Sequence, residues 1–429
     1  MMFEKYDAYK DSELPSFGSV PIHWEIVPLC SITTLKSITN VVNEELLSVY
    51  LDKGVIRFDD VTEKRTNVTS LDLSKYQLVE EGDFVLNNQQ AWRGSVGVSI
   101  YRGIVSPAYL VLKLSPKVDA KFANYFFRNS AMVSQYLINS KGVGTIQRNL
   151  YWQHLKRSDV VLPPREEQIE IAEFLNQKTA EIDQAIATKE KQIDLLNERK
   201  QIVIQKAVTQ GLEPNVTMKD SGLNGVGNIP QDWEIIKFKY LAKVRYGLGQ
   251  PPRQLDNGLK IIRATNIERG KIVEKGMLYI DPNDIPWDRN PTLNKDEIIV
   301  VRSGAYTGDS AIVTEEYAGC IAGYDMVATP FNCYPKFLST VLLSHYVLYE
   351  QIYLLRMRSA QPHLNAEELN ELKIVVPPIN QQRLIANYIE KVESDIGEAI
   401  SLIKQQLEKL KEYKTTLIND AVTGKIKVA

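Results

Sequence analysis

Two long stretches of the chain place apolar residues at alternating intervals of three and four, which is the spacing of one face of an α-helix. The first stretch runs from Ala172 to Ala207 and the second from Ala386 to Ala421, with eight and nine apolar residues at the eleven positions of each face. A narrow stripe sustained over five heptads is typical of a coiled coil. We therefore expect the two helices to pack on each other. The alternative is that each helix lies on a globular core, although a core helix usually carries a wider stripe.

The direction of this helix pair follows from lengths. Pro163 and Pro164 disfavour helix before them and suit a first helical turn, so the first helix should run from about Glu166 to Gln210. Such a helix is roughly 65 Å long, whereas the connector 211–229 spans at most roughly 60 Å when fully extended. A parallel pair would need this connector to run taut along the whole helix. We therefore predict an antiparallel pair.

The sequence also repeats itself once. KDSELPSFGSVPIHWE, which begins at Lys10, aligns without gaps with KDSGLNGVGNIPQDWE, which begins at Lys219. VVLPPREEQIEIAEFL from Val160 likewise matches IVVPPINQQRLIANYI from Ile374, and AVTQGL matches AVTGKI at the ends of the two helices. The ends of the two halves are thus alike and their middles differ. Because the N-terminal segment repeats the connector, we expect it to lie beside the end of the second helix, near Val422.

The two middles have the composition of mixed α/β domains, because short runs rich in Val, Ile and aromatic residues precede segments with helical spacing. The runs are DFVLNN from Asp83, AYLVLKL from Ala108, IIVVRSG from Ile298 and DMVATPF from Asp325. The predicted fold class is α/β (α+β), with two mixed α/β domains joined by two long antiparallel helices that form a coiled coil, in a pseudo-twofold internal repeat. The predicted segments are a first domain, a first helical region, a second domain and a second helical region, at 1–163, 164–212, 213–376 and 377–429.

Composition narrows the class of protein. The 429 residues are 44% hydrophobic and 24% charged, as in a folded protein of two or three domains. Three cysteines without a Cys-x-x-Cys pair do not suit a disulfide framework and favour a reducing compartment. The N-terminal residues lack the apolar core of a signal peptide, and polar residues interrupt the richest apolar run. We therefore expect a soluble, cytoplasmic protein with no membrane partner.

Charge is balanced overall, at a net −2, but it is segregated along the chain. Residues 91–157 carry ten basic side chains and one acidic one, and residues 237–275 carry ten basic and three acidic ones, with aromatic residues and glycines among them. Each block could be a solvated face, but their presence in both repeats favours contacts with DNA phosphates and base edges. The candidate DNA-binding residues are Arg93, Arg102, Lys117, Lys141, Arg148, Lys243, Arg245, Arg253, Arg263, Arg302, Tyr306, Arg356 and Arg358.

Signatures of catalysis are missing from the sequence. It has neither a G-x-x-x-x-G-K-[ST] loop nor a G-x-G-x-x-G turn after a strand, and its four histidines lack metal-ligand spacing. We therefore expect no catalytic residue, metal site or cofactor in this chain. Two alternatives to a DNA-binding protein stay open at this point, namely a self-contained enzyme and a coiled-coil adaptor without sequence-specific DNA binding.

Several motifs, taken together, are highly specific for one protein family. They are the domain openings SVPIHWEIVPL from Ser19 and NIPQDWEIIKFKYL from Asn228, the segment GTIQRNL from Gly144 that leads to VLPPREEQ, and the long run FLNQKTAEIDQAIATKEKQIDLLNERKQIVIQKAVTQGL from Phe174. With these motifs the chain resembles, over essentially its full length, the specificity (S) subunits of type I restriction-modification systems.

The resemblance implies a non-catalytic subunit that recognises DNA. Each variable region would be a target recognition domain that reads one half of an asymmetric bipartite site in double-stranded DNA, and the helices would fix the gap between the halves. Two methyltransferase (M) subunits would bind the helical regions and bring S-adenosylmethionine, and restriction (R) subunits would bring ATP and Mg. A methylation-only system, without restriction subunits, is the alternative within the family.

Overall fold

A computed structural model describes residues 3–51, 53–60, 72–142, 148–356 and 363–428 of the chain. The protein divides into two compact units, which are Met1–Lys189 with Gln405–Ala429 (unit 1) and Glu190–Lys404 (unit 2). Each unit therefore contains the domain of one repeat together with parts of both long helices. The four segments predicted from the sequence follow the elements along the chain, and as domain boundaries they stay a prediction.

Unit 1 begins with short strands and ends on a long helix. Its strands are β1 Tyr9–Asp11, β2 Ser19–Pro21, β3 Glu25–Pro28, β4 Thr33–Lys36, β5 Leu47–Tyr50, β6 Gly54–Arg57, β7 Gln77–Val79, β8 Phe84–Asn87, β9 Val96–Val98, β10 Gly103–Val105, β11 Tyr109–Leu114, β12 Ser140–Lys141, β13 Asn149–Leu150 and β14 Asp159–Leu162. Its helices are α1 Leu29–Ile32, α2 Ala120–Phe126, α3 Ser130–Ile138, α4 Trp152–Leu155 and the first part of α5 Arg165–Gln210.

The central sheet of unit 1 has the order β4-β11-β8-β9 and is antiparallel throughout. Strand β8 is buried on both faces, because alternate side chains of a strand point to opposite sides. Phe84 and Leu86 enter the core formed with α2 and α3, and Val85 enters a second, smaller core with β5 and β6. The run DFVLNN is therefore a continuous apolar strand, as the sequence predicts, since both of its faces are covered.

The helical pattern that starts at Lys121 forms two helices rather than one. Asn129 lies between α2 and α3, and its side chain accepts a hydrogen bond from the Met132 amide at 2.9 Å. An asparagine that caps a new helix ends the previous one, because its backbone leaves the helical region. Aromatic residues of α2 and of the following turn fill the core, where Phe127 stacks on Phe84 with ring centroids 4.1 Å apart.

Unit 2 repeats this plan with additions. Its strands are β15 Met218–Asp220, β16 Asn228–Pro230, β17 Glu234–Lys237, β18 Ala242–Tyr246, β19 Gln254–Ile262, β20 Ile267–Glu268, β21 Lys271–Ile272, β22 Leu278–Ile280, β23 Ile298–Val300, β24 Ser310–Ile312, β25 Ile321–Ala322, β26 Met326–Pro330 and β27 Lys373–Val376. Its helices are α6 Pro335–Leu342, α7 His345–Val347, α8 Tyr353–Arg356, α9 Ala366–Asn370 and the first part of α10 Ile379–Val422, with a π-helical turn Leu348–Ile352 between α7 and α8.

The sheets show which parts of the fold occur in both units. The central sheet of unit 2 has the order β18-β26-β23-β24, which matches that of unit 1, and β17 pairs with β27 as β3 pairs with β14. Unit 2 adds a three-stranded sheet, β22-β19-β25, in which β19 and β25 are parallel. The internal repeat and the mixed α/β domains are therefore confirmed.

The two long helices, α5 and α10, pack antiparallel within each unit, as predicted. In unit 1, Lys414 Nζ donates to Asp183 Oδ1 at 2.7 Å and Lys189 Nζ donates to Gln406 Oε1 at 2.6 Å, so contacts move down one helix as they move up the other. In unit 2, the last turns of α5 share a core with the first turns of α10. Within the described ranges, neither these helices nor any other is both long and apolar enough to cross a membrane.

The ends of the helical seam also belong to the domain cores. Ala172 and Leu175 are buried among the core residues of the first domain, and Ala386 and Ile389 among those of the second. The coiled-coil interpretation of the apolar stripe and the globular-core interpretation thus apply to different parts of the helices. The helices pack on each other along the seam, and their ends pack on globular cores.

A buried glutamine anchors the start of each long helix to its domain. Gln168 donates through Nε2 to the Pro163 carbonyl at 2.9 Å and accepts at Oε1 from the Asp119 amide at 2.8 Å. Gln382 does the same in unit 2, donating to the carbonyl of the preceding proline pair and accepting from the Tyr334 amide at 2.8 Å. Asp119 and Tyr334 are the N-cap residues of α2 and α6, so each glutamine ties the long helix to a helix of its domain.

The N-terminal segment lies beside the end of α10, as the repeat predicts. The Lys427 amide donates to the Glu4 carbonyl at 2.7 Å. Gly424, with φ +72°, approaches the Trp24 ring so closely that a Cβ would lie 3.1 Å from it, and Gly211, with φ +78°, meets Trp233 in the same way. Glycine is required at both positions because a left-handed backbone coincides with close contact.

Candidate nucleic-acid interface

One loop in each domain occupies the same place in the central sheet and carries groups able to contact DNA. The first sheet loop, residues 88–95, joins β8 to β9, and the second sheet loop, residues 301–309, joins β23 to β24. The strands before these loops lie in the interior of sheets with the same order. Each loop is therefore held by a rigid scaffold at its base, which is a favourable arrangement for a binding loop.

The first sheet loop presents a tryptophan with arginines near its ring. Arg93 Cζ lies 4.6 Å from the centroid of the Trp92 ring, and Arg148 Cζ lies 5.8 Å from it, within the range of cation–π attraction. Trp92 Nε1 donates to the Gln89 carbonyl at 3.0 Å, which fixes the indole. The side-chain oxygen of Asn88 is buried without a hydrogen-bond partner in the described part of the chain. Amide and guanidinium groups thus lie together at this position.

The second sheet loop presents an arginine between two tyrosines. Arg302 Cζ lies 4.6 Å from the ring centroid of Tyr246 and 4.3 Å from that of Tyr324. The strand register explains this arrangement. Val300 pairs with Met326 and Tyr246 also pairs with Met326, so residues just beyond these pairs meet at one end of the sheet.

Asp325 contacts the backbone of this arginine. Its side chain is buried, with 3% of the residue exposed, and its Oδ1 accepts a hydrogen bond from the Arg302 amide at 3.2 Å. Burial raises the pKa of Asp325 to about 6, although the Arg302 amide and charge and the Ala264 amide act in the opposite direction. Asp325 lines a cavity of about 210 Å³ with Arg263 and Tyr324.

Arg245, predicted as a DNA contact, has its guanidinium bound by groups of unit 2. It forms a two-point ion pair with Glu297, at 2.5 Å and 2.7 Å, and donates to the Thr292 carbonyl at 2.9 Å and the Asn290 carbonyl at 3.2 Å. Burial favours a higher pKa for Glu297, but hydrogen bonds from Arg245, Thr329 and the peptide backbone lower it below its usual value. These contacts use the guanidinium within the domain, so we remove Arg245 from the set proposed to bind DNA.

Two further candidates are also paired with carboxylates. Arg102 contacts Glu44 at 2.9 Å and Glu80 at 3.1 Å. Arg253 contacts Asp281 and also lies 3.7 Å from Asp284. Both arginines keep exposed surface, so these ion pairs at the protein surface are weak and open to exchange. Their basic charge is nevertheless partly neutralised, which a count along the chain does not detect.

The remaining candidates occupy varied positions. Lys117 and Lys243 are exposed, and Lys141 Nζ lies 5.7 Å from the Tyr151 ring centroid. Arg263 donates through Nη2 to the Gly276 carbonyl at 3.0 Å, while its Nε is buried without a partner in the described ranges. The other three are Tyr306, which is exposed in the second sheet loop, Arg356, which is the last residue of α8, and Arg358, which lies outside the described residues.

Sequence reasoning missed Asn88, Tyr246 as an arginine partner, Tyr324 and Asp325. A signal was available for the first and last of them, because Asn88 ends the predicted strand run DFVLNN and Asp325 begins the run DMVATPF, and binding side chains often cluster at strand ends. Among the residues that the structure describes, no group of three or more His, Cys, Asp or Glu side chains is placed to hold a metal ion.

The sequence matches the family described as the type I restriction modification DNA specificity domain over residues 21–195 and 230–412, with one match in each repeat. The type I restriction enzyme MjaVIII specificity subunit of Methanocaldococcus jannaschii is 25% identical over 433 residues, which cover 95% of this chain and 94% of that protein. The EcoKI specificity subunit of Escherichia coli K12 is 18% identical over 432 residues, covering 96% of this chain and 91% of that protein.

Solved structures share the fold. A chain from a study of complex assembly and conformational transition of the type I R-M system superposes with a TM-score of 0.69 at 14% identity, covering 94% of this chain and 98% of that one. The HsdS subunit from Thermoanaerobacter tengcongensis gives a TM-score of 0.55 at 15% identity, covering 95% and 98%. Because the family match spans both repeats, the resemblance found in the motifs is confirmed, and this chain belongs to the type I restriction-modification DNA specificity family.

Proposed function

We propose that this chain is the specificity subunit of a type I restriction-modification complex, in which it reads an asymmetric bipartite DNA target and carries out no catalysis. The observation that supports this most directly is the occurrence of the same sheet twice, with different side chains on the equivalent loop. The first sheet loop offers Gln89, Trp92 and Arg93, whereas the second offers Arg302 and Tyr306. Amides suit adenine and arginine suits guanine in the major groove. Two domains of one fold therefore read two unrelated half-sites.

The proposed partners are double-stranded DNA and two methyltransferase subunits, joined by restriction subunits in a complete nuclease. S-adenosylmethionine, ATP and Mg would be bound by these partners. Two observations support the assembly. The relatives that match nearly end to end are specificity subunits by name, and one structural neighbour comes from a study of type I complex assembly. Such a complex acts on DNA in the cytoplasm.

The test is a map of methylated adenines. The chain is produced with its methyltransferase partner in a host whose DNA lacks this modification, and methylated bases are located by single-molecule sequencing. We expect one asymmetric motif with two specified blocks separated by unspecified bases. Methylation without a split motif, or DNA binding with no sequence preference, would contradict the proposal and favour the adaptor alternative.

Two variants of unit 1 sharpen this test. Arg93→Ala should weaken recognition at one base position by about 1 to 3 kcal/mol, because Arg93 lies in the loop proposed to face the bases. Lys117→Ala, which removes an exposed charge outside the loop, should weaken binding evenly across sequences and reduce the salt slope by about one unit. In both variants the half-site read by unit 2 stays unchanged. A change in that half-site would show that the two domains do not read DNA separately.

A further inference from the structure

The second sheet loop contains an arginine that is held rigidly before any ligand arrives. The Arg302 guanidinium lies over the rings of both Tyr246 and Tyr324, with its Cζ 4.6 Å and 4.3 Å from the two ring centroids. Its backbone is fixed as well, because the amide donates to Asp325 and the carbonyl accepts from the Leu364 amide at 2.8 Å. An arginine whose plane is fixed in this way loses little further entropy when it binds.

Within the described ranges, the hydrogen-bonding groups of this side chain have no partner. Arg302 Nε is buried without a partner, and the side chain makes no hydrogen bond or ion pair with any of the residues that the structure describes. Arg245, in strand β18 on the other side of β26, shows the opposite arrangement, since its guanidinium binds Glu297 and backbone carbonyls. Aromatic faces hold the plane of Arg302 while its edge stays available to a ligand.

Asp325 gives a second, independent indication of a ligand. It is 3% exposed, and its Oδ2 is buried without a partner in the described ranges. Asp325 lines the cavity of about 210 Å³ together with Arg263 and Ser303. A buried polar group without a protein partner costs stability and requires an explanation, such as a bound water, an ion or a ligand. Here the Asp325 carboxylate accepts a hydrogen bond from the Arg302 amide, and its negative charge attracts the charge of Arg302.

We propose that Arg302 reads a guanine in the half-site bound by unit 2, donating through Nη1 and Nη2 to O6 and N7 of the base. Tyr246, Tyr324 and Asp325 act as positioning residues. This inference rests on the proposed function and adds a base and a residue to it. The edge of a guanine accepts two parallel hydrogen bonds in one orientation only, so a guanidinium with a fixed plane suits it. A phosphate accepts hydrogen bonds from many directions and does not need a fixed plane.

The experiment compares methylation motifs of complexes that contain full-length wild-type or Arg302→Gln chain with the methyltransferase partner. In the variant, we expect one guanine of the half-site read by unit 2 to become degenerate or to change toward adenine, the base that glutamine prefers. Methylation at the original site should fall about 10- to 100-fold. The half-site read by unit 1 should be identical in the two maps. Arg302→Lys, which keeps the charge but lacks the paired donors, should relax the same position, and it also serves if Arg302→Gln does not fold.

The matched control is Arg289→Gln, which removes an exposed arginine elsewhere in unit 2 and should leave the motif unchanged. An Arg302→Gln complex that methylates fewer sites while keeping every base of the motif would show a phosphate contact and overturn the proposal. A motif and rate equal to those of the wild type would overturn it as well. In both cases the split wild-type motif would leave the proposed function standing, whereas a wild-type complex without a split motif would overturn both.

The positioning role of Asp325 has its own readout. Asp325→Asn should reduce the preference for guanine at the same position, and it should add nothing in an Arg302→Gln background, because it acts through Arg302. A purely structural role would change the unfolding midpoint without changing base preference. Equal losses from Asp325→Asn in the two backgrounds would overturn this part of the proposal.

Discussion

Arg245→Ala should destabilise unit 2 strongly while leaving its base preference intact, because Arg245 is part of the scaffold. Its partner Glu297 is 3% exposed and would keep only Thr329 Oγ1, at 2.6 Å, and the Asn294 amide, at 2.8 Å. Removing one member of a buried ion pair leaves an uncompensated charge and costs about 3 to 5 kcal/mol. The Asn290 carbonyl also loses its donor. At about 2 to 3 kcal/mol per molar urea, the unfolding midpoint should fall by about 1 to 2.5 M.

Hydrogen exchange of backbone amides in increasing urea is the suitable assay, because the two units need not unfold together. Peptides from β18 and β23 should lose protection, whereas those from β8 and β11 keep it. The effect should depend on pH. The pKa of Glu297 is lowered by folding, so its ion pair contributes stability above the unfolded value of about 4.3 and loses it as pH falls through the folded value. The difference between wild type and variant should therefore narrow in acid.

Lys243→Ala is the control, since Lys243 lies on the same strand, two residues away, and is exposed. It should change stability by less than about 0.5 kcal/mol. A stable Arg245→Ala chain whose complex had lost recognition of one base would refute the scaffold assignment and return Arg245 to the set of DNA contacts.

Two other predictions concern single buried groups. Gln382→Leu leaves the Tyr334 amide and the Pro377 carbonyl without partners, so it should lower the free energy of unfolding of unit 2 by about 2 to 4 kcal/mol. Hydrogen exchange should show the loss of protection in unit 2, and Gln168→Leu should have the same effect in unit 1. A loss of protection spread evenly over both units would contradict this local anchoring. Asp325→Asn should stabilise unit 2 by about 2 to 3 kcal/mol at pH 7 and by almost nothing at pH 4. The reason is that the folded pKa of Asp325, about 6, lies above its unfolded value of about 3.9. The stability of the wild type therefore falls as pH rises between these values, and the variant lacks this fall. Urea midpoints of the two proteins that changed in parallel with pH would contradict this prediction.

The sequence by itself determined the long helices, the repeat and the central strands. These features depend on local periodicity and on residues adjacent in the chain, and both are visible in a single sequence. The heptad stripe predicted α5 and α10, and the proline pairs located their starts. The continuous apolar runs predicted β8 and β23, because a strand buried on both faces needs no alternation. The start of the second domain could be placed because its opening copies that of the first.

Only the tertiary structure decided which basic side chains are bound by carboxylates of the same domain. Arg245 lies within strand β18 and Arg302 follows strand β23 of the same sheet, yet the first binds Glu297 and the second lies over the rings of two tyrosines. Strand register sets this difference, because it brings together residues that are 52 and 22 positions apart in the chain. Counting charges along a sequence measures only composition. The electric field at a binding surface depends on which charges are paired in three dimensions, because the interaction energy of two charges depends on their distance in space and not on their separation in sequence.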